Sequence, residues 1–365
     1  MRVNSDLGNS INDTLDKFDF GDLDKIASDL GSGSSGIFGS DSFSTKIGKI
    51  LSGEFATDYP NFFSAIFSLI GGALQDVLPI VVLIISISIL SGFIQSLRHD
   101  SGGEGVRNII HFATYIAIVT VVLYAVADVT VMTGRTLMSM KTQMDIIFPI
   151  LLTLMAAIGG TVSVSVYQPA IVMLSMGVMQ IFTYVIMPIF IITLVFSVVG
   201  NLSSTTKYDK FVSFFTSLYK WILGITFTVF LGFLSIQGIT AGAHDGVSVR
   251  AAKFTMSSYV PFLGGYLSQG FDLIMASSIL IKNAVGVAGL YLLLGVVLGP
   301  VFKIAILILG LKLAAAITQP LADERISNFL TSISKAFSML IAVLIGAAFM
   351  YFVTIGLVII TGNFL

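Results

Sequence analysis

The chain has no cysteine, so disulfides, thiol catalysis and cysteine-ligated zinc or iron–sulfur sites are excluded. Histidine is almost as scarce. His99, His111 and His244 stand alone, none at metal-ligand spacing from another. Charge is low as well, with Asp, Glu, Lys and Arg making up 11% of the residues against about a quarter in soluble proteins. A soluble chain of 365 residues would need a charged shell for two or so domains, and too few charges exist to build one. No G-x-x-x-x-G-K-[ST] phosphate loop, H-E-x-x-H helix or local Ser/His/Asp motif occurs, so no enzyme active site and no bound cofactor are expected. Neither residues 1–58 nor the remainder is basic enough to suggest nucleic acid.

Apolar residues fill the space that charge vacates. They make up 55% of the chain and fall in runs long enough to cross a bilayer, which takes about 20 helical residues. Val77–Leu97, Ile109–Ala127, Ile146–Val166, Ile171–Val199, Ile222–Ile236, Gly286–Leu311 and Ala336–Ile360 are the clearest. The fold class is therefore all-α, a polytopic integral membrane helical bundle.

Residues 1–58 differ from the rest, with ten acids against five bases. They read as an acidic extracytoplasmic segment with two short amphipathic helices, marked by Ile11, Leu15 and Phe18 and by Leu23, Ile26 and Leu30. Gly31–Gly36 is a linker by composition. Residues 1–20 lack a basic stretch followed by an apolar core, and removal of a signal before this numbering begins is the expectation. Residues 60–76 carry a one-sided stripe of Phe62, Phe63, Ile66, Phe67 and Ile70, which predicts an interfacial amphipathic helix. The first transmembrane helices follow over 77–140.

The remainder reads as a duplication, with repeat A over 141–240 and repeat B over 253–361. At an offset of 112, Lys141, Met144, Pro149, Gly177, Pro188 and Phe190 recur as Lys253, Met256, Pro261, Gly289, Pro300 and Phe302. At an offset of 115, Asp209–Lys220 recurs as Glu324–Lys335, both with apolar residues at i, i+3, i+4 and i+7. Pro149 to Tyr167, with Gly159-Gly160, and Pro261 to Ile281, with Gly264-Gly265 and Asp272, are poor as straight spans and predict paired broken or re-entrant helices. If both are re-entrant, the chain crosses six times with both termini outside. Arg98, Arg107, Lys207, Lys210, Lys220, Lys312, Arg325 and Lys335 then face the cytoplasm, and Arg135, Lys141, Arg250 and Lys253 lie outside. If both span, there are eight crossings and the repeat is inverted. The positive-inside rule favours six.

Broken segments in matching places point to a pathway, and the candidate residues are Pro149, Gly159, Gly160, Pro261, Gly264, Gly265, Asp272, Lys282 and Lys303. The last three are charges at membrane depth, where burial is expensive. Close helix packing at the glycines is the competing account of the breaks. For Asp272 and Lys282 it is a wet hairpin tip and a lysine reaching an interface.

Gly310–Ile326, read as an Ala-rich span leading into Gln319-Pro320-Leu321-Ala322-Asp323-Glu324-Arg325-Ile326, resembles the stage III sporulation protein AE family. The acidic segment followed by several spans resembles it too. That resemblance implies a component of the mother-cell membrane around the forespore, acting with sibling proteins in a secretion-like or feeding channel complex. It implies a permease-like core with the N-terminal segment between the two membranes, no catalytic residues, and Gln319, Pro320, Asp323 and Arg325 as a partner-contact loop. Partners would be the membrane, the other proteins of the complex and a further copy in a homo-oligomer. A stand-alone secondary transporter for a small solute or ion, and a non-conducting scaffold, are the alternative readings.

Overall fold

Long helices account for nearly all of the described residues in a computed structural model, which are 11, 14–15, 17–29, 38, 41–54, 59–97, 104–202, 208–241, 264–320 and 324–361. No strand occurs among them. Two short helices, α1 (Gly21–Ser28) and α2 (Phe43–Ser52), precede the bundle. The bundle comprises α3 (Tyr59–Leu97), α4 (Glu104–Ala157), α5 (Thr161–Val172), α6 (Met187–Leu202), α7 (Asp209–Ala241), α8 (Gly264–Thr318) and α9 (Glu324–Ile360).

Between α5 and α6 the chain stays helical through two π segments, Met173–Val178 and Phe182–Ile186, around one α turn. The second π segment ends two residues before Pro188. That proline has no N–H to offer the carbonyl of Tyr184, and a widened turn removes the clash between its ring and that carbonyl. Residues 161–202 thus form one rod, and the bundle has six rods long and apolar enough to cross a membrane.

The rods alternate in direction. At the lower end, beside the connections 98–103, 203–208 and 319–323, the Thr114 hydroxyl donates to Ser91 Oγ at 2.9 Å. Tyr115 Oη donates to the Val198 carbonyl at 2.9 Å, and Ser327 Oγ to the Ala315 carbonyl at 3.0 Å. At the upper end the hydroxyls of Tyr167 and Thr361 lie 3.0 Å apart. The core runs the full height between them, with α9 most enclosed: Ile326, Phe329, Leu330, Ile333, Val343, Ala347 and Ile355 are all buried.

Several rods exceed what a bilayer requires. α4 has 54 residues and α8 has 55, about 80 Å each at 1.5 Å per residue, against a hydrocarbon core of about 30 Å. Close approach between rods rests on small residues. A Cβ at Gly310 would meet Val81 Cγ2 at 2.5 Å, and one at Gly346 would meet Phe227 Cζ at 2.5 Å.

Three expectations change here. Residues 60–76 are not a separate interfacial helix but the upper part of the 39-residue rod α3. Its Ala65 and Leu69 pack with Phe62 against Leu294, Leu298 and Phe302 of α8, while Phe63 and Phe67 face outward. Pro149 causes no break, since α4 continues to Ala157. One missing N–H and one steric contact are tolerated in a rod held by packing on several sides. Gly264 and Gly265 stand in the first turn of the uninterrupted α8, so residues 264–281 form no re-entrant hairpin. Pro261, the linker Gly31–Gly36 and residues 253–260 of repeat B lie outside the described residues.

The acidic segment is partly folded onto the bundle. Phe43 lies at the centre of a small aromatic cluster, with ring centroids 5.4 Å from Phe20 and 6.0 Å from Phe38. Ser42 caps α2 by accepting from the Thr45 N–H at 3.2 Å, and Asp24 accepts from the Phe43 N–H at 2.5 Å. α1 lies against α4, and α2 against α8.

Candidate ionic site in the helix bundle

Lys303 on α8 brings two carboxylates together from different rods. Its Nζ lies 3.0 Å from Asp76 Oδ2 of α3 and 3.0 Å from Asp128 Oδ2 of α4. The lysine is largely enclosed, whereas both acids are about half exposed. One cation between two anions leaves an excess negative charge. In a low-dielectric setting each ion costs several kcal/mol to desolvate, at least in order of magnitude, so the arrangement persists because three rods supply complementary charges at one height.

The Lys303 site borders a cleft of about 380 Å³. Its walls are Asp128, Arg135, Thr136 and Ser139 of α4 with Gly295, Pro300 and Lys303 of α8, and Ile26 of α1 with Asp29, just past the end of that helix, completes the lining. Asp128, Met132, Thr136, Ser139 and Gln143 follow one another at three- or four-residue steps, so they share one stripe of α4. Gln143 is completely buried, and neither atom of its amide has a hydrogen-bond partner among the described residues.

Lys282, the second charge singled out in the sequence, has another task. It is fully buried on α8, and its ammonium donates to the carbonyl of Thr361 just beyond the end of α9. That carbonyl is one of the four a helix leaves unpaired at its C-terminus, where positive charge is favoured. Lys282 is therefore a cap between two helices. Asp272 sits exposed in the third turn of α8, 31 residues before Lys303.

The remaining candidates divide. Gly159, at φ 86°, and Gly160 form the turn that reverses the chain between α4 and α5, and left-handed backbone at Gly159 explains the glycine. Pro149 is exposed within α4. Gln319 and Pro320 are exposed in the turn after α8, the Gln319 N–H donating to the Ala315 carbonyl at 3.0 Å, and Arg325 is exposed in the first turn of α9. Asp323 lies outside the described residues. None of the described ones is ion-paired with Lys303.

Asp76 and Gln143 were invisible to sequence reasoning. Asp76 and Asp128 each abut an apolar run, at Val77 and Ala127, and that shared position was the available signal. Nothing in the sequence marks Gln143 as buried.

Six apolar rods and an ion-paired cleft built from three of them define a multi-pass helical membrane protein. The chain belongs to the stage III sporulation protein AE family, whose model matches residues 42–362. It is similar to the stage III sporulation protein AE of Bacillus subtilis (strain 168), 27% identical over 280 residues, covering 77% of this chain and 70% of the relative. No solved structure matches the chain.

Proposed function

We propose that this protein serves spore formation as a permease-like, non-enzymatic core component of a mother cell-to-forespore channel complex. The observation that carries the reading is family membership over residues 42–362. Supporting it, six rods are long and apolar enough for six crossings, and Lys303 with its two carboxylates adds charge to a largely apolar bundle. The mother-cell membrane around the forespore is its location, and its partners are the other proteins of the complex together with further copies of itself.

The lower end of the bundle is the cytoplasmic one. Lys210, Lys220, Lys312, Arg325 and Lys335 lie on the lower parts of their rods, whereas Arg135 and Lys141 lie on the upper part of α4. The N-terminal segment, with α1 and α2, is then extracytoplasmic. Repeats A and B are a parallel duplication. The rod 161–202 and α8 both descend to the lower end, and α7 and α9 both start there with the matching sequences Asp209–Lys220 and Glu324–Lys335.

The test is deletion of the gene in its own host, followed by complementation. Heat-resistant spores should be lost while vegetative growth is normal, and the intact chain should restore them. A Lys303→Met chain that inserts normally should not restore them. Spore formation unaffected by the deletion would contradict the role, and full activity of Lys303→Met would contradict the assigned importance of the ionic site.

A further inference from the structure

The cleft beside Lys303 carries charges the fold does not use. Lys303 is matched by Asp76 and Asp128, with one negative charge to spare. Across the same space, Arg135 and Asp29 have no ion-pair partner among the described residues. The cleft thus presents an unmatched cation, Arg135, an unmatched anion, Asp29, and the surplus negative charge shared by the two carboxylates on Lys303.

A second observation comes from the inner end of the stripe. Gln143 stands one turn beyond Ser139, which lines the cleft. A turn further up, Ile147 of α4 and Ile355 of α9 converge on Gly289, where a Cβ would meet Ile147 Cδ1 at 2.9 Å and Ile355 Cδ1 at 3.5 Å. Gln143 therefore lies between an open polar cleft and a tightly closed apolar junction. Tyr351, one turn below Ile355 on α9, is also fully buried with an unpartnered hydroxyl. Buried amides and hydroxyls are nearly always hydrogen-bonded, so an unpartnered buried amide beside a polar cleft signals a missing polar partner.

We propose that this α4–α8 cleft binds a small zwitterion of the free amino-acid class, its carboxylate on Arg135 and its ammonium between Asp29 and Asp128. A cavity of about 380 Å³ is at the small end of the range for ligand sites, roughly 300–1,000 Å³. Thr136 and Ser139 supply hydroxyls in the cleft wall, and Gln143, one turn beyond Ser139, is the nearest buried polar group past its lining. Ile26 and Asp29 form the outer wall, so occupancy also holds α1 against the bundle.

Binding is read on the isolated chain, separately from any role in sporulation. The purified full-length protein in lipid nanodiscs is heated while the fluorescence of Trp221, its one tryptophan, is followed. Millimolar glycine, leucine, lysine and glutamate are compared with methylamine and acetate, each carrying one of the two charges. The expected result is a rise in unfolding temperature with one or more amino acids and none with methylamine or acetate. Arg135→Gln and Asp29→Asn, both at exposed positions, should each raise the half-saturating concentration at least about tenfold, as loss of one charge-assisted contact implies. Gln143→Leu should weaken binding while raising the unfolding temperature of the ligand-free protein. Equal stabilisation by methylamine would mean a cation site only and would overturn the assignment. So would no shift with any amino acid, or binding that ignores Arg135→Gln and Asp29→Asn. If Gln143→Leu lowers the ligand-free unfolding temperature, a resident water satisfies the amide and its part in the site is lost.

Discussion

Lys282 of α8 and the Thr361 carbonyl at the end of α9 are joined by a hydrogen bond that closes the upper end of the bundle. The adjacent contact between the Tyr167 and Thr361 hydroxyls, at 3.0 Å, ties the start of α5 to the same point. Replacing Lys282 with methionine keeps most of the buried chain and removes the donor. The expected cost is about 1.5–3 kcal/mol, the usual worth of a hydrogen bond to a charged group. Chemical unfolding in mild detergent measures it. Stability equal to the parent would mean that the carbonyl is satisfied some other way.

The Lys303 cluster should couple more weakly. Asp76 and Asp128 are about half exposed, so each pairing should contribute only about 0.2–1 kcal/mol. A double-mutant cycle with Lys303→Met and Asp128→Asn would read that coupling. The triple change that also carries Asp76→Asn should recover the stability lost by Lys303→Met alone, because no carboxylate is then left without its counter-charge. Failure to recover would mean that the lysine acts through packing.

Close packing of α3 on α8 depends on Gly310. A Cβ there would fall 2.5 Å from Val81 Cγ2 and 3.4 Å from Val77 Cγ1, and both are β-branched side chains with restricted rotamers. Gly310→Ala should therefore cost about 1–3 kcal/mol, the range for overpacking. Gly232→Ala, where a Cβ would meet nothing within 4 Å, should be neutral or slightly stabilising. Thermal unfolding of the two variants side by side separates these outcomes.

Much of this architecture was legible in the sequence, and the failures have physical causes. Long apolar runs announced the membrane bundle, because a chain so short of charge has no other way to hide its side chains. The helix starts Asp209–Lys220 and Glu324–Lys335 were readable from their apolar spacing. In Pro149–Tyr167 the helix does break, at Gly159-Gly160, but no break falls at Pro149 itself or at Gly264-Gly265, because their breaking tendency is local while packing along an 80-Å-class rod is not. Rod continuity then changed the setting of the charges. Lys282 met a carbonyl 79 residues away, and Lys303 met acids from two other rods. Pairings across such sequence separations leave no periodic trace.

The central claim is that six rods cross the membrane in one alternating bundle, with its lower end in the cytoplasm. Absence of native cysteine makes accessibility labelling clean. Single cysteines at Ser213 on α7 and Asn328 on α9, both exposed near the lower end, and at Thr161, exposed at the start of α5, suffice. A membrane-impermeant maleimide applied to intact cells should label Thr161→Cys and spare Ser213→Cys and Asn328→Cys, which should react only after permeabilisation. Labelling of Ser213→Cys from outside while Asn328→Cys stays protected would place the two matching helix starts on opposite faces, and would contradict the six-rod bundle.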